Sequence, residues 1–220
     1  MIKDVIYSIE SELKDTWKDE PTGHDWEHIR RVRDMSLHLQ KIEGGNRDII
    51  HLGALLHDIS DHKFNGGILN ANGEAARIWL KKLNCPESIS YDVCELVDKI
   101  SFKGANVEIG ELSIETKIIQ DADRLDAIGA IGIARAFAFG GNKNRPIYNP
   151  SVNPILHDNF EQYAKSKSHT INHFYEKLLL LKSKMQTVEG KKIAETRHAF
   201  MENFLKAFYT DWNITSKKND

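Results

Sequence analysis

The sequence predicts an all-α fold, and this prediction depends on two observations. Apolar residues recur with the spacing of an α-helix along nearly the whole chain of 220 residues. No segment alternates apolar and polar residues convincingly enough to predict a β-strand, and the chain contains no internal repeat and no low-complexity segment. A chain of this length can bury a full core, so we expect a single domain over residues 1–220.

Pro21 separates the first two predicted helices. The first has an apolar stripe formed by Val5, Ile9 and Leu13. The second begins at Thr22 or Asp25, because either side chain can accept a hydrogen bond from the unpaired N–H groups of a first helical turn. It ends at Gly44-Gly45-Asn46, where glycine favours termination.

Three more helices are expected before a loop at residues 101–110. Two of them span residues 48–60 and 68–83, with a connection at residues 62–67, and the third begins at Pro86. Proline is favourable at a helix start, because its missing N–H would have no intrahelical partner there.

The remaining part of the chain is predicted to contain three helices and one irregular segment. Ser113 can cap a long helix that runs towards Phe139. Residues 140–154 are expected to be irregular, because they contain two adjacent glycines and three prolines. Two further helices are expected at about residues 169–186 and 191–210.

Composition argues against several classes of protein. With 30 basic and 32 acidic residues the chain is nearly neutral, so its charge does not favour a nucleic-acid or membrane partner. The two cysteines form no metal-binding or redox motif and are most simply free thiols in a reducing compartment. The N-terminal residues do not form a secretory signal, and the longest apolar stretch, residues 127–139, contains Arg135 and is too short to cross a bilayer. We therefore expect a cytoplasmic protein.

A His-Asp pair at the end of an apolar helix is the most informative feature of the chain. His57-Asp58 follows the apolar run Ile49–Leu56, and a buried Asp needs a partner because an unpaired carboxylate is costly to desolvate. His28 upstream and Asp123 downstream lie on other predicted helices. A divalent metal would satisfy all four side chains, and a nearby lysine or arginine is the alternative partner for the buried Asp.

The dipeptide alone does not establish a metal site. About one His-Asp pair is expected by chance from ten histidines, and the chain has two others, His24-Asp25 and His157-Asp158. Only His57-Asp58 follows an apolar helix. The residues leave a second interpretation open, in which both histidines of the set are core residues and Asp123 pairs with a base.

Imidazole and carboxylate ligands suit several divalent metals, so they do not identify the ion: Mn²⁺, Mg²⁺, Co²⁺, Ni²⁺, Fe²⁺ and Zn²⁺ all remain. Four protein ligands leave coordination positions open. A hydrolytic metal needs such positions, because it lowers the pKa of a bound water and polarises a phosphoryl oxygen.

These residues resemble the motif of the HD-domain metal-dependent phosphohydrolase superfamily. The motif has a His followed four residues later by Val, a His-Asp pair at a helix end, and a distant Asp. His28 to Val32, His57-Asp58 and Asp123 match it. Ala122–Leu125 also resembles the corresponding motif of guanosine tetraphosphate hydrolases. The resemblance implies an all-helical fold and one divalent metal held by these two histidines and two aspartates.

Two longer segments, Gln120–Gly132 and Ile171–Leu179, resemble a bacterial HD subfamily similar to YpgQ and YedJ. This resemblance covers nearly the whole chain, with an HD core at about residues 24–130 and a helical extension at about residues 155–212. It implies hydrolysis of nucleotides, in the first place of nucleoside triphosphates to monophosphate and pyrophosphate, with Mn²⁺ as the favoured metal.

Asp61, three residues after Asp58, is the expected catalytic residue. Several members of the superfamily have an acid there, usually Glu, that acts on the attacking water. A carboxylate beside such a water is a reasonable general base, and a solvated loop carboxylate is the alternative of equal weight.

The expected substrate contacts are side chains outside the metal set. Asp126 has two alternatives, a ligand histidine or a substrate hydroxyl, and Arg124 can form a salt bridge or bind phosphate. The irregular segment after residue 140 can close over a nucleotide, and Lys177 can meet a phosphate or be merely solvated. The complete set is His24, Lys63, Arg124, Asp126, Lys143, Arg145, Tyr148 and Lys177.

Two rival functions follow from the same residues. A nucleotide phosphomonoesterase or phosphodiesterase would use the same metal chemistry. From another class, a non-catalytic HD module could bind a nucleotide and signal, although such a module has no need of four metal ligands. The expected partner is a small-molecule nucleotide, and a homodimer stays open.

Overall fold

The computed structural model describes residues 2–17, 25–59, 72–100, 111–155 and 168–213. Within these ranges the chain forms helices joined by turns and loops, and none of it is β-strand, so the all-α prediction is confirmed. None of the described helices is long and apolar enough to cross a membrane. The helices are α1 (Ile2–Thr16), α2 (Trp26–Glu43), α3 (Arg47–Leu56), α4 (Asn72–Lys82), α5 (Glu87–Ile100), α6 (Ile114–Asp126), α7 (Gly129–Asn142), α8 (Thr170–Glu176) and α9 (Val188–Trp212), with a 3-10 helix at Leu178–Lys184.

Side-chain caps begin several of these helices where the sequence predicts them. Asp25 caps α2, its carboxylate accepting a hydrogen bond of 2.8 Å from the backbone N–H of His28. Ser113 caps α6 through the N–H of Thr116. Gly44 ends α2 with a φ of 85°, a left-handed conformation that glycine adopts without strain.

The prediction of one long helix from Ser113 towards Phe139 is wrong, because this part of the chain forms two helices, α6 and α7, that are separated between Asp126 and Gly129. Gly129 has a φ of 77°, and a Cβ atom there would lie 3.0 Å from Cγ of Arg197 on α9. The break therefore favours glycine for two reasons. Glycine adopts this positive φ without strain, and a Cβ atom would crowd the Arg197 side chain. It places Asp123 and Asp126 in the last turn of α6.

Two other predicted helices end earlier than expected. The third predicted helix, residues 48–60, corresponds to α3 and stops at Leu56, so His57 and Asp58 lie in the turn that follows it. The helix expected at residues 169–186 stops at Glu176, because Lys177 has non-helical φ and ψ of −143° and −58°. The connection at residues 62–67 and the loop at residues 101–110 lie outside the described residues.

The core packs together the three helices that carry or directly precede the candidate ligands. α2 packs against α3 and α6, and α9 packs against α2, α6 and α7. Gly53 lets α3 approach its neighbours closely, since a Cβ atom there would lie 2.7 Å from Leu96 of α5 and 2.9 Å from Ile119 of α6. Fully buried apolar side chains fill the space between α2, α3 and α6: Ile29, Val32, Leu39, Ile50, Leu52, Leu55, Ile118, Ile119 and Leu125.

Candidate metal centre

Three potential ligand atoms form a nearly equilateral triangle where α2 meets the end of α3. The Nε2 atoms of His28 and His57 lie 3.3 Å apart, and Oδ2 of Asp58 lies 3.4 Å from each of them. Both histidine side chains are only 1% exposed, whereas Asp58 is one-quarter exposed. The triangle therefore has a buried side and a side that faces solvent.

The second nitrogen of each ring determines where its Nε2 points. Nδ1 of His57 donates a hydrogen bond to the Ala54 carbonyl oxygen at 2.8 Å, and Nδ1 of His28 donates to Oδ2 of Asp126 at 2.7 Å. When Nδ1 is the donor, Nε2 of a neutral imidazole carries a lone pair. Both lone pairs are thus directed into the same space.

This geometry fits a divalent cation. Ligand bonds of about 2.0–2.2 Å at tetrahedral or octahedral angles put neighbouring ligand atoms about 3.0–3.5 Å apart. The triangle edges of 3.3 and 3.4 Å lie in that range. Two imidazole lone pairs that face each other without a cation or proton between them repel, so the donor set itself calls for positive charge.

Asp123 lies at the exposed side of the triangle. Its Oδ1 is 3.6 Å from Nε2 of His28, and its side chain is 44% exposed. α6 contributes Asp123 from its last turn, so the four carboxylate and imidazole groups come from three elements that pack on one another. An exposed carboxylate at this point can ligate a cation and still leave room for water and substrate.

Asp126 lies behind His28, on the side away from the triangle. Besides His28, its carboxylate accepts from Nε of Arg31 at 2.6 Å, Nη2 of Arg31 at 3.1 Å and Nη1 of Arg135 at 2.6 Å. These protein donors reach both oxygens of a buried carboxylate, which favours the first alternative for Asp126, a contact with a candidate ligand histidine, over a contact with a substrate hydroxyl. Its position is that of a residue that orients a ligand histidine.

The charges around His28 favour a cation at its ring. Burial opposes protonation of His28, but hydrogen bonds with Asp126 and Asp58 outweigh burial and raise its pKa to about 9. Burial also works against ionisation of Asp126, yet His28 and Arg31 hold the pKa of that carboxyl well below its usual range. In the absence of metal, a proton on His28 takes the position that a divalent cation would compete for.

Arg124 forms the salt-bridge alternative. Its Nη1 donates to the Lys184 carbonyl oxygen at 2.8 Å and to Asp121 at 3.2 Å, and its Nη2 donates to Gln120 at 3.2 Å. These contacts join α6 to the end of the 3-10 helix, which favours a structural role for Arg124 over the expected phosphate contact. Asp121 is fully buried and accepts from the backbone N–H groups of Gln186 and Thr187 at the start of α9.

The remaining predicted substrate contacts lie around α7, α8 and α9. The cations of Lys143 and Arg145 lie 5.8 and 5.7 Å from the ring centre of Phe139. Burial, and then the charges of Lys177 and Arg145, lower the pKa of His173 to about 3. Lys177 and Arg145 therefore both lie near the His173 ring.

Tyr148 packs into an aromatic cluster. This position favours a packing role for its ring over a role in a segment that closes over a nucleotide. Its ring centre lies between 5.0 and 5.7 Å from those of four neighbours: His169, Phe208, Tyr209 and Trp212. His24, Asp61 and Lys63 lie outside the described residues.

Sequence reasoning missed the two arginines that hold Asp126. Arg31 lies three residues after His28, so it shares a helix face with that ligand. Arg135 interrupts the longest apolar stretch of the chain, and a single charge in such a stretch usually has a buried partner. The sequence shows both features, but it does not show that the two arginines share Asp126 on α6 as their partner.

Comparisons with known proteins point in one direction. The model of the HD domain family matches residues 25–128. YpgQ from Bacillus subtilis is 36% identical over 194 residues, which cover 88% of this chain and 86% of YpgQ. The crystal structure of an HD-superfamily hydrolase from Bacillus thuringiensis superposes with a TM-score of 0.75 at 39% identity, covering 97% of this chain and 99% of the other.

The crystal structure of YpgQ in complex with ADP also superposes, with a TM-score of 0.74 and 30% identity over 94% of this chain and 97% of YpgQ. Fold, ligand geometry and relatives therefore agree. The chain belongs to the HD domain family of metal-dependent phosphohydrolases.

Proposed function

We propose that His28, His57, Asp58 and Asp123 hold one divalent cation, and that the chain hydrolyses nucleoside triphosphates to monophosphate and pyrophosphate. The triangle of Nε2, Nε2 and Oδ2 atoms with edges of 3.3 and 3.4 Å carries the proposal, together with Asp123 at its exposed side. A cation bound there would lower the pKa of a water and polarise a phosphoryl oxygen.

Mn²⁺ is the metal we favour. Two imidazoles and two carboxylates suit several divalent metals, so this preference rests on the resemblance to the HD subfamily. Asp61 remains our candidate for the proton transfer, on the resemblance of its position alone.

Two observations support a nucleotide as substrate. YpgQ, which this chain resembles over nearly its full length, has been crystallised in complex with ADP. In this chain Arg145 and Lys177 both lie close enough to His173 to lower its pKa, so they form a local cationic region suited to phosphate groups. We assign β- and γ-phosphates to this region and the α-phosphate to the metal.

The whole chain acts as one unit in this proposal. α9 packs against α2, α6 and α7, and its first turn is held by Asp121 two residues before Asp123. The C-terminal helices would thus support the ligand helix α6. We also infer a cytoplasmic location from the composition.

The decisive experiment is to resolve products. The purified chain is stripped of metal, reloaded with Mn²⁺, Mg²⁺ or Co²⁺, and incubated with a panel of nucleoside tri-, di- and monophosphates. Monophosphate with pyrophosphate and no diphosphate is the expected result. Diphosphate with free phosphate would mean attack at the γ-phosphate, and activity confined to monophosphates would favour the phosphomonoesterase. Nucleotide binding without turnover in any metal would favour the signalling module.

A further inference from the structure

A separate cavity lies on the other side of Asp126 from the metal triangle. It has a volume of about 280 Å³ and lies between α2, α6, α7 and α9. His28, His57, Asp58 and Asp123 are not among its lining residues. Its walls combine the apolar side chains of Met35, Ala122 and Ile131 with the guanidinium groups of Arg31 and Arg197 and the imidazole of His38.

Arg197 gives this cavity a partly buried cation. Within the described ranges its guanidinium donates to the Leu125 carbonyl oxygen and forms no ion pair with a carboxylate. Burial lowers the pKa of Arg197, as expected for a cation that has lost part of its hydration, and the charge of Asp126 opposes that shift. Its stem packs on Gly129, where a Cβ atom would lie 3.0 Å from Cγ, so the side chain has a fixed course into the cavity wall.

The two carboxylates that line the cavity are already bound by arginines. Asp126 is bound by Arg31 and Arg135 as well as by His28. Asp34 pairs with two other arginines of α2, at 3.2 Å from Arg30 and 2.8 Å from Arg33. The cavity therefore offers the partly buried guanidinium of Arg197 beside an apolar wall.

We propose that this cavity is a second binding site, for a small organic anion whose carboxylate or phosphate group meets Arg197 and whose apolar body lies against Met35, Ala122 and Ile131. A guanidinium recognises either anionic group through charge-assisted hydrogen bonds. Partial burial strengthens that attraction, and apolar walls select a ligand with a hydrocarbon or aromatic body.

Arg31 connects this site to the metal centre. It lines the cavity and also donates to both oxygens of Asp126, which in turn holds Nδ1 of His28. An anion near Arg31 offsets positive charge close to the metal triangle, so occupancy should raise the affinity for a divalent cation. Because binding coupling is reciprocal, the metal should equally raise the affinity for the anion. This coupling, unlike the cavity itself, rests on the proposed metal function.

The test uses benzoate, which has both features, with acetate and benzyl alcohol as probes that each lack one. Titration calorimetry on the metal-free chain should give one benzoate site per chain, with both other probes binding about tenfold more weakly or worse. Arg197→Met should weaken benzoate binding by about tenfold or more, because it removes a charge-assisted hydrogen bond. Ile131→Glu should also weaken benzoate binding, because it places a negative charge near the bound carboxylate. The position is 45% exposed, so the substitution should not disturb the core.

Arg77→Met is the matched control, since Arg77 lies on α4 in an exposed pair with Glu74. It should leave benzoate binding unchanged. Absence of saturable binding on the metal-free chain, or binding that is unchanged by both Arg197→Met and Ile131→Glu, would overturn the site.

A second titration measures the dissociation constant of Mn²⁺ with and without saturating benzoate. We expect benzoate to lower this constant about twofold or more. An unchanged constant would overturn the coupling and leave the site intact.

Discussion

Nε2 of His28 and Nε2 of His57 lie 3.3 Å apart, although each ring uses its Nδ1 as a hydrogen-bond donor on the opposite side. The two partners are different, a carboxylate for His28 and a backbone carbonyl for His57. A carboxylate behind an imidazole raises the basicity of the ring, whereas a carbonyl mainly fixes its orientation. As ligands of the proposed cation the two histidines would therefore be unequal, with His28 the more basic of the two.

Removal of the Asp58 carboxylate should abolish metal binding. Asp58→Ala deletes one corner of the triangle and leaves two facing imidazoles with less negative charge near them. The wild-type chain should bind about one divalent ion and the variant none at micromolar metal, as measured by elemental analysis after gel filtration.

Asp92→Ala is the control for this substitution, because Asp92 is exposed on α5. It should keep the metal content of the wild type. Turnover of nucleotides by rigorously metal-free wild-type protein would contradict the metal assignment altogether.

Asp126→Asn tests how the protein tunes His28. The amide keeps the size of the side chain but removes the charge that holds Nδ1 of His28 and two arginines. We expect metal affinity to fall by about 10- to 100-fold, which is typical when the carboxylate behind a ligand histidine is lost. Calorimetric titration of Mn²⁺ measures it, with circular dichroism to establish that the helices persist.

Asp34→Asn is the matched change, because Asp34 also pairs with arginines of α2 but in an exposed position. Its metal affinity should equal that of the wild type. If both variants behave alike, Asp126 does not act through His28.

Local sequence features single out the candidate ligands more readily than the residues that support them. His57-Asp58 is conspicuous because an apolar helix ends there, and capping residues such as Asp25 and Ser113 give helix starts. The break at Gly129 depends on Arg197 from α9, and no periodicity within residues 113–139 records that contact. Likewise the roles of Asp126 and Arg124 depend on which helices meet them, which is a property of the packed fold.

Asp121 should matter for stability more than for chemistry. It is fully buried and accepts hydrogen bonds from the backbone N–H of Gln186, and from the N–H and hydroxyl of Thr187, which begins α9. Asp121→Ala leaves these donors without a partner, so the free energy of unfolding should fall by about 2–4 kcal/mol. Urea unfolding measures the loss, and Asp92→Ala should change it by less than about 0.5 kcal/mol.

His173 should make the fold sensitive to mild acid. Burial and the neighbouring Lys177 and Arg145 lower its pKa in the folded chain to about 3, compared with the ordinary 6.5 of a histidine. Between these values the unfolded chain binds a proton that the folded chain does not, so this contribution to stability is lost as the pH falls below about 6.5.

His173→Gln removes that titration and keeps hydrogen-bonding capacity. The difference in melting temperature between pH 7.5 and pH 5 should therefore be smaller in the variant than in the wild type. Equal differences in the two proteins would mean that His173 is accessible to protons in the fold.

The guanidinium of Arg145 lies 5.7 Å from the ring centre of Phe139, and its charge helps to lower the pKa of His173. If the region of Arg145 and Lys177 binds the distal phosphates, Arg145→Glu places a negative charge against them. The KM for a nucleoside triphosphate should then rise about tenfold or more, while the KM for a monophosphate, which has no distal phosphates, should change much less. Steady-state kinetics with both nucleotides under saturating Mn²⁺ measure the two constants.

Arg77→Glu on α4 makes the same change of net charge and should leave both constants near their wild-type values. Should Arg145→Glu raise both constants equally, its effect would be one of overall charge or folding, and this loop would no longer be a candidate for the phosphate site.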